Sequence, residues 1–339
     1  MTKHTIPFSV APFHQTNWDW RAAGNFIGGG SGAGLLLFAA LAGGQWYWLH
    51  ALIGLALVGG GLTCVWAEIG KPLRAINTFR HPQTSWMTRE ALVAPFFFAA
   101  GLAAALLDLG ALAWLATPLG LAESDLPGQR FEGAAAWSAA VLGMVFLYCQ
   151  ARILFASKGI PAWRQPRIVP LVLITGLTEG CGWLALLAAL TGGGGLRWLS
   201  FALIAMSLMR AWTWKAYLDQ LRASGAPART LQRLARLDAL FALAGNGLPV
   251  ALALVALVAG SVWAAAAAGL IAASAGWWLK FTLVARAAFN QGFALPKLPV
   301  RGVGVPGPAV KPGWTEPAAD QNPPIQQGES QRRSELRSA

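Results

Sequence analysis

The densest group of chemically active side chains lies in a polar connector between two long apolar stretches, residues 66 to 97. A carboxylate stands at each end of this connector, Glu68 before it and Glu90 after it. Between and beside them are the cations and amide Lys71, Arg74, Asn77, Arg80 and Arg89. Where apolar stretches cross a membrane, boundary carboxylates near arginines suit proton exchange with a lipid-soluble ligand. The alternative, a basic loop whose charges are all solvated, stays open.

Three further polar residues lie inside apolar stretches. Glu179 is near the middle of residues 168–190, where an ionisable group is costly in lipid. It is a candidate for a proton path or a ligand contact, with a structural hydrogen bond to another helix as the alternative. Asn25 needs a buried partner, either another helix or a ligand carbonyl. Lys280 lies near the end of the last apolar stretch and is expected to reach the membrane surface.

The residues that hold metals or haem are sparse. Cys64, Cys149 and Cys181 are widely separated, which argues against an iron–sulfur cluster or structural zinc held by this chain alone. The four histidines lie in surface segments or near a helix end, so no facing pair is available for a membrane haem. We therefore predict no metal and no haem in this chain.

Composition predicts a membrane protein, because 55% of residues are hydrophobic and only 12% are charged. Eight stretches reach the length of about 20 apolar residues that a bilayer requires. They are residues 22–42, 46–67, 91–115, 133–155, 168–190, 196–216, 239–261 and 263–285. Backbone groups in lipid must be satisfied internally, so these spans are helices. The predicted fold is an all-α integral membrane protein of eight transmembrane helices, arranged as two four-helix bundles.

Charge asymmetry orients these spans. Of the 26 Lys and Arg residues, only Arg130 and Arg197 fall on the side opposite the termini. The positive-inside rule places the basic side, and both termini, in the cytoplasm of a cell whose inner (plasma) membrane holds the chain. The net charge of +12 is then explained by orientation and lipid contact rather than by nucleic acid, which we exclude as a partner.

Three regions follow from these patterns. Residues 1–21 form an interfacial segment, residues 22–290 the membrane domain, and residues 291–339 a disordered tail rich in Pro, Gly and Gln. The first span carries Gly24, Gly28 and Gly32 on one helical face, which favours close helix packing over nucleotide binding. Gly176 and Gly180 repeat this spacing in the fifth span.

The connector "EIGKPLRAINTFRHPQTSWMTRE" resembles the DMSO-reductase-type membrane anchor subunits (the DmsC/NrfD group). That group shows H-L-G-x-P-x-R-A, then an Asn, then S-x-x-S-x-E. The matching residues are Gly70, Pro72, Arg74, Ala75, Asn77, Ser85 and Glu90, and "ARILFASKGIPAW" is also similar. Glu68 stands at the group's histidine and Thr88 at its second serine. "NWDWRAAGNF" and "WWLKFTLVARAAFNQGFALP" resemble the branch of membrane subunits of phenylacetyl-CoA:acceptor oxidoreductases.

The resemblance implies a subunit that anchors a molybdopterin catalytic subunit and a ferredoxin-like subunit with 4Fe–4S clusters. Electrons would pass between that iron–sulfur subunit and an exchangeable quinone or quinol bound by this chain. Glu68 would exchange the proton, and the quinone pocket would be formed by Asn25, Arg74, Asn77, Arg89 and Glu90. The basic loops would dock the partners through Lys71, Arg80, Lys158 and Arg164.

Two other functions remain as alternatives. One is a secondary transporter in which Glu179 is the coupling residue and the glycine-rich first helix is a gate. The other is a purely structural anchor that binds no quinone.

Overall fold

The computed structural model describes residues 11–292 apart from 45, 69–71, 112–113 and 115–127, and the side chains of 72–75 and 128–131 are also not described. This part of the chain is helical, with a single isolated β-bridge between His14 and Phe289. The predicted tail falls almost wholly outside the described residues, as does the first half of the N-terminal segment.

The helices follow the apolar stretches. They are α1 (Trp20–Ala42), α2 (Tyr47–Glu68), a 3₁₀ helix (Pro72–Arg80), α3 (Trp86–Asp108), α4 (Gly128–Ala156), α5 (Ile168–Thr191), α6 (Leu196–Ala223), α7 (Ala228–Ala242), α8 (Leu248–Ala259) and α9 (Val262–Phe281). Short π-helical turns join α7 to α8 (Leu243–Gly247) and follow α9 (Thr282–Arg286).

Within the described residues, seven helical segments are long and apolar enough to cross a membrane. One of them runs without a break from α7 through α8, Ala228–Ala259. The one predicted span outside this set is the sixth, 196–216, which lies in α6; this helix is long enough at 28 residues but too polar. The architecture is that of an all-α integral membrane protein.

Two predicted boundaries can be compared with the observed ones. The third span was predicted at roughly 91–115, and its start is wrong by about five residues, because α3 begins at Trp86, where the Ser85 hydroxyl accepts a hydrogen bond from the Thr88 N–H. Glu90 therefore lies inside α3 rather than at its start. The division of the last apolar run is confirmed: Gly260 ends α8 with a left-handed φ of 65°, and Ser261 caps α9.

The helices form the two predicted four-helix bundles. In the first, α1 packs against α2 and α4, and α3 packs against the same two helices. In the second, α5 packs against α6 and α9, and α8 packs against the same two. The bundles meet chiefly where α1 packs along α5, so α1 is the most enclosed helix of the first bundle.

The glycine faces make these contacts possible. A Cβ atom at Gly28 would overlap the Leu57 carbonyl of α2, and one at Gly180 would overlap the backbone of Gly34 in α1. Since only a residue without a side chain permits such approaches, the predicted packing role of these glycines is confirmed.

Candidate functional site

A cavity of about 420 Å³ lies between α1, α2, the 3₁₀ helix and α3. Most of its wall is apolar or weakly polar, formed by Leu62, Thr63, Val65, Trp66, Thr78, Phe79, Met87 and Ala91. The remaining wall is supplied by the amide of Asn25 and the carboxylate of Glu90. The cavity is thus a mainly apolar space with two adjacent hydrogen-bonding groups.

Asn25 and Glu90 contact each other although they are 65 positions apart. The Asn25 amide nitrogen donates to Glu90 Oε1 over 3.3 Å, and each residue is only 6% exposed. Gln150 of α4 donates from Nε2 to the Asn25 backbone carbonyl over 3.0 Å. Among the described residues, Asn25 Oδ1 and Gln150 Oε1 have no hydrogen-bond partner. Buried polar atoms normally have one, so these two oxygens beside the Asn25–Glu90 pair are unsatisfied.

The connector is held against the start of α3 by side-chain contacts. The Thr88 hydroxyl donates to the Thr78 carbonyl of the 3₁₀ helix. Arg89 donates to the carbonyls of Pro82 and Gln83 over 2.8 and 2.7 Å, and its guanidinium lies 4.1 Å from the centre of the Trp86 ring. Arg89 therefore braces the connector and is not among the residues that line the cavity.

Three other residues predicted for this site, Glu68, Asn77 and Arg89, are not among those that line the cavity. Glu68 is half-buried in the last turn of α2, three residues beyond Val65. Its neighbour Arg21 donates to the Ala67 carbonyl over 3.1 Å. Asn77 is exposed on the 3₁₀ helix, and the side chain of Arg74 lies outside the described residues. The structure thus brings together Asn25 and Glu90 but leaves Glu68, Asn77 and Arg89 around them.

The predicted docking residues differ in their surroundings. Arg80 and Lys158 are exposed, as a docking role requires. Arg164 is half-buried and donates to the side chain of Gln291. Lys71 lies outside the described residues.

A second polar cluster lies where the two bundles meet. Glu179 is fully buried, and its Oε2 atom lies 2.7 Å from Lys280 Nζ and 2.8 Å from the Ser31 hydroxyl. Ser31 in turn accepts from the Trp277 indole over 2.8 Å. The expectation that Lys280 reaches the membrane surface is wrong: its side chain is 2% exposed and pairs with Glu179. Lys280 stays buried because the Glu179 carboxylate neutralises its charge there.

Arg210 is a buried charge that the sequence reasoning missed. It donates to the Asn246 side chain over 2.8 Å and to the Ala272 carbonyl over 2.7 Å, and also to the carbonyl of Gly245. The π-helical turn Leu243–Gly247 includes the Gly245 acceptor. The available signal was an arginine within an apolar span, together with Asn246 in a later span.

The two polar clusters approach the same turn of α1. A Cβ atom at Gly29 would overlap the amide of Gln150, and one at Gly30 would overlap Lys280 Nζ. Because these glycines are consecutive, the residue bonded to Asn25 and the residue bonded to Glu179 lie against neighbouring positions of one helix. Because Gly29 and Gly30 have no side chains, only the backbone of α1 separates the two clusters at this turn.

Comparison with known proteins bears on the family of the chain. A search of curated proteins gives no match. The family model for the DMSO reductase anchor subunit (DmsC) matches residues 33–211, just over half of the 339-residue chain. The narrower resemblance to phenylacetyl-CoA:acceptor oxidoreductases stays a prediction. From the match and the apolar helices together, the chain is a multi-pass membrane protein that belongs to the DMSO reductase anchor subunit (DmsC) family.

Proposed function

We propose that this chain is the quinone-reactive anchor of a molybdopterin and iron–sulfur oxidoreductase. The observation that carries the proposal is the cavity whose apolar wall meets the buried Asn25–Glu90 pair. A quinone has an apolar ring and tail with carbonyl or hydroxyl oxygens, so its recognition requires this combination of surfaces.

The residues present fit such a ligand. The volume of about 420 Å³ lies within the range of small-molecule pockets, which is roughly 300–1,000 Å³. The Asn25 side chain lines the cavity, and its unpartnered Oδ1 would accept a hydrogen bond from a quinol hydroxyl. When bound, the quinone would supply two-electron chemistry.

The side chains of the chain would bind the ring and move its protons. Glu90 is within hydrogen-bonding distance of Asn25 and accepts or returns the proton at its carboxylate oxygen. Glu68 lies about one helical turn beyond Val65, a cavity residue, and is half-buried rather than enclosed. We assign Glu68 to proton exchange between Glu90 and the aqueous side.

The partner subunits would dock on the basic side. Arg80 and Lys158 are exposed there and are suited to acidic surfaces of a ferredoxin-like subunit with 4Fe–4S clusters, which would carry electrons to or from the molybdopterin subunit. The charge bias supports an inner-membrane location with this side and both termini in the cytoplasm.

The second cluster supports a proton-path role for Glu179. Its carboxylate is buried at the junction of the bundles, and its partner Lys280 lies against the same turn of α1 as Gln150. A transporter that couples through Glu179 would need this cluster but not the cavity between α1, α2 and α3. A purely structural anchor would need neither the cluster nor the cavity.

Replacing Glu90 with Gln tests the central assignment. In the intact complex, we expect quinone-linked turnover to fall at least about a hundredfold, the typical contribution of general acid–base catalysis. Dye-coupled activity of the catalytic subunit should persist, because it bypasses this chain. Glu132→Gln, near the start of α4 and beside Asp108 at the end of α3, is the control and should leave both activities unchanged.

Three outcomes separate the alternatives. Normal quinone-linked turnover in Glu90→Gln would remove Glu90 from the mechanism. Failure of a quinone analogue to bind the purified complex would favour a purely structural anchor. Substrate uptake into vesicles that contain this chain alone, abolished by Glu179→Gln, would favour the transporter.

A further inference from the structure

A second pocket lies on the exposed face of α7, far along the chain from the cavity. Its volume is about 210 Å³, and it is lined by Arg229, Gln232, Arg233, Arg236 and Phe289. This is below the roughly 300–1,000 Å³ typical of small-molecule sites, so it suits a compact ionic group. Among the described residues, its lining contains three arginines and no carboxylate.

The arginines occupy one face of a helix whose opposite face is fixed. Leu234 and Leu237 are buried, and the Thr230 hydroxyl donates to the Ala287 carbonyl over 3.1 Å. The only acidic residue of α7, Asp238, accepts a hydrogen bond from the Trp214 indole over 2.8 Å and lies 3.9 Å from Arg222. Within the described part of the chain, no carboxylate lies within 4.0 Å of the three pocket guanidiniums.

The helix places this pocket at the depth of lipid headgroups. The unbroken segment Ala228–Ala259 has 32 residues, which corresponds to about 48 Å of helix. A hydrocarbon core of about 30 Å accommodates about 20 of them, which leaves about 12 beyond it. Leu240 and Leu243 are 61% and 73% exposed, as expected of side chains that face lipid. The three arginines precede these leucines by about one to four helical turns.

We propose that this pocket, the α7 arginine pocket, binds the phosphate of an anionic phospholipid headgroup. Guanidinium groups form paired, charge-assisted hydrogen bonds with phosphate oxygens. Like charges spaced three and four residues apart also repel each other along a helix, and a bound anion removes that repulsion. The adjoining exposed leucines, Leu240 and Leu243, provide a surface for the acyl chains of a lipid. A free phosphate ion has no acyl chains and would gain nothing from this surface.

The test is the thermal unfolding of the purified full chain in detergent during titration with dioctanoyl phosphatidylglycerol. We expect a saturable rise in the unfolding temperature with this lipid but not with dioctanoyl phosphatidylcholine. Each arginine contributes about a fivefold change in affinity, so Arg233→Gln should weaken binding about fivefold. The triple variant R229Q/R233Q/R236Q should weaken it more than a hundredfold.

A matched control removes the same charge from the same side. The variant R80Q/K158Q/K215Q replaces three exposed cations outside the pocket and should keep the wild-type affinity. Equal loss in this control, or none in Arg233→Gln, would overturn the proposal. If inorganic phosphate reproduces the whole effect, the ligand is the free ion and the lipid assignment is wrong. If only an acidic peptide produces it, the pocket is a protein-docking surface instead.

Discussion

Removing one charge of the Glu179–Lys280 pair should destabilise the protein far more than removing both. The two side chains are 0% and 2% exposed, with 2.7 Å between carboxylate and ammonium. At this separation and an effective dielectric constant of about 20, their attraction is about 6 kcal/mol, which opposes the cost of burying both charges. A lone buried charge loses the attraction and keeps the cost. We therefore expect Glu179→Gln and Lys280→Met each to lower the free energy of unfolding by about 3–5 kcal/mol.

The double variant E179Q/K280M keeps similar volumes and contains neither charge, so its loss should be less than about 2 kcal/mol. The assay is reversible unfolding in mixed detergent micelles, with the four proteins forming a double-mutant cycle. Independent sites add to within about 0.3–0.5 kcal/mol. Additivity of the two single variants would therefore refute the inference that the pair is energetically coupled. Lys215→Met, which removes an exposed lysine, is the control and should change the unfolding free energy by less than about 0.5 kcal/mol.

Three other predictions concern packing, capping and pH. Gly180→Ala should lower the free energy of unfolding by about 1–3 kcal/mol, because the new Cβ would overlap the backbone of Gly34. Gly60→Ala is the control: its Cβ would meet nothing within 4 Å, so it should be neutral or stabilising in the same assay. Ser85→Ala should cost about 1 kcal/mol by removing the α3 cap, measured by the same unfolding assay. Hydrogen bonds from Arg21 lower the pKa of Asp19 below that of an ordinary aspartate. These bonds therefore stabilise the folded protein fully above the ordinary carboxyl pKa, and the stabilisation is lost as the pH falls through the lowered pKa of Asp19. In acid titrations followed by unfolding temperature, Asp19→Asn should lack that step, and an unchanged profile would contradict it.

For the quinone site, residue types and spacing predicted some of the residues at the cavity but not which of the candidates would line it. The family resemblance of the connector implied a pocket that included Asn25, Asn77 and Glu90, and the structure brings Asn25 and Glu90 together at a cavity but leaves Asn77 exposed. Glu68 and Arg89 were equally plausible from the sequence, because both lie within the same connector. Which residues face the cavity depends on helix rotation and on the Ser85 cap, because one residue of helical advance turns a side chain by about 100°. Arg89 instead contacts carbonyls of its own loop.

Hydrophobic run lengths and charge bias determined the spans, the helical class and the basic side, because these follow from the cost of exposing backbone groups and charges to lipid. Small-residue spacing likewise indicated that α1 and α5 each pack closely against another helix, but not against which one: Gly28 meets α2, whereas Gly180 meets α1. Only the tertiary structure decided that Lys280 and Arg210 are buried, and with which partners. Each charge is buried because a specific acceptor from another helix lies beside it: the Glu179 carboxylate for Lys280, and the carbonyls near the π-helical turn for Arg210. Such partners are distant in the chain, and no local pattern specifies which of them will meet.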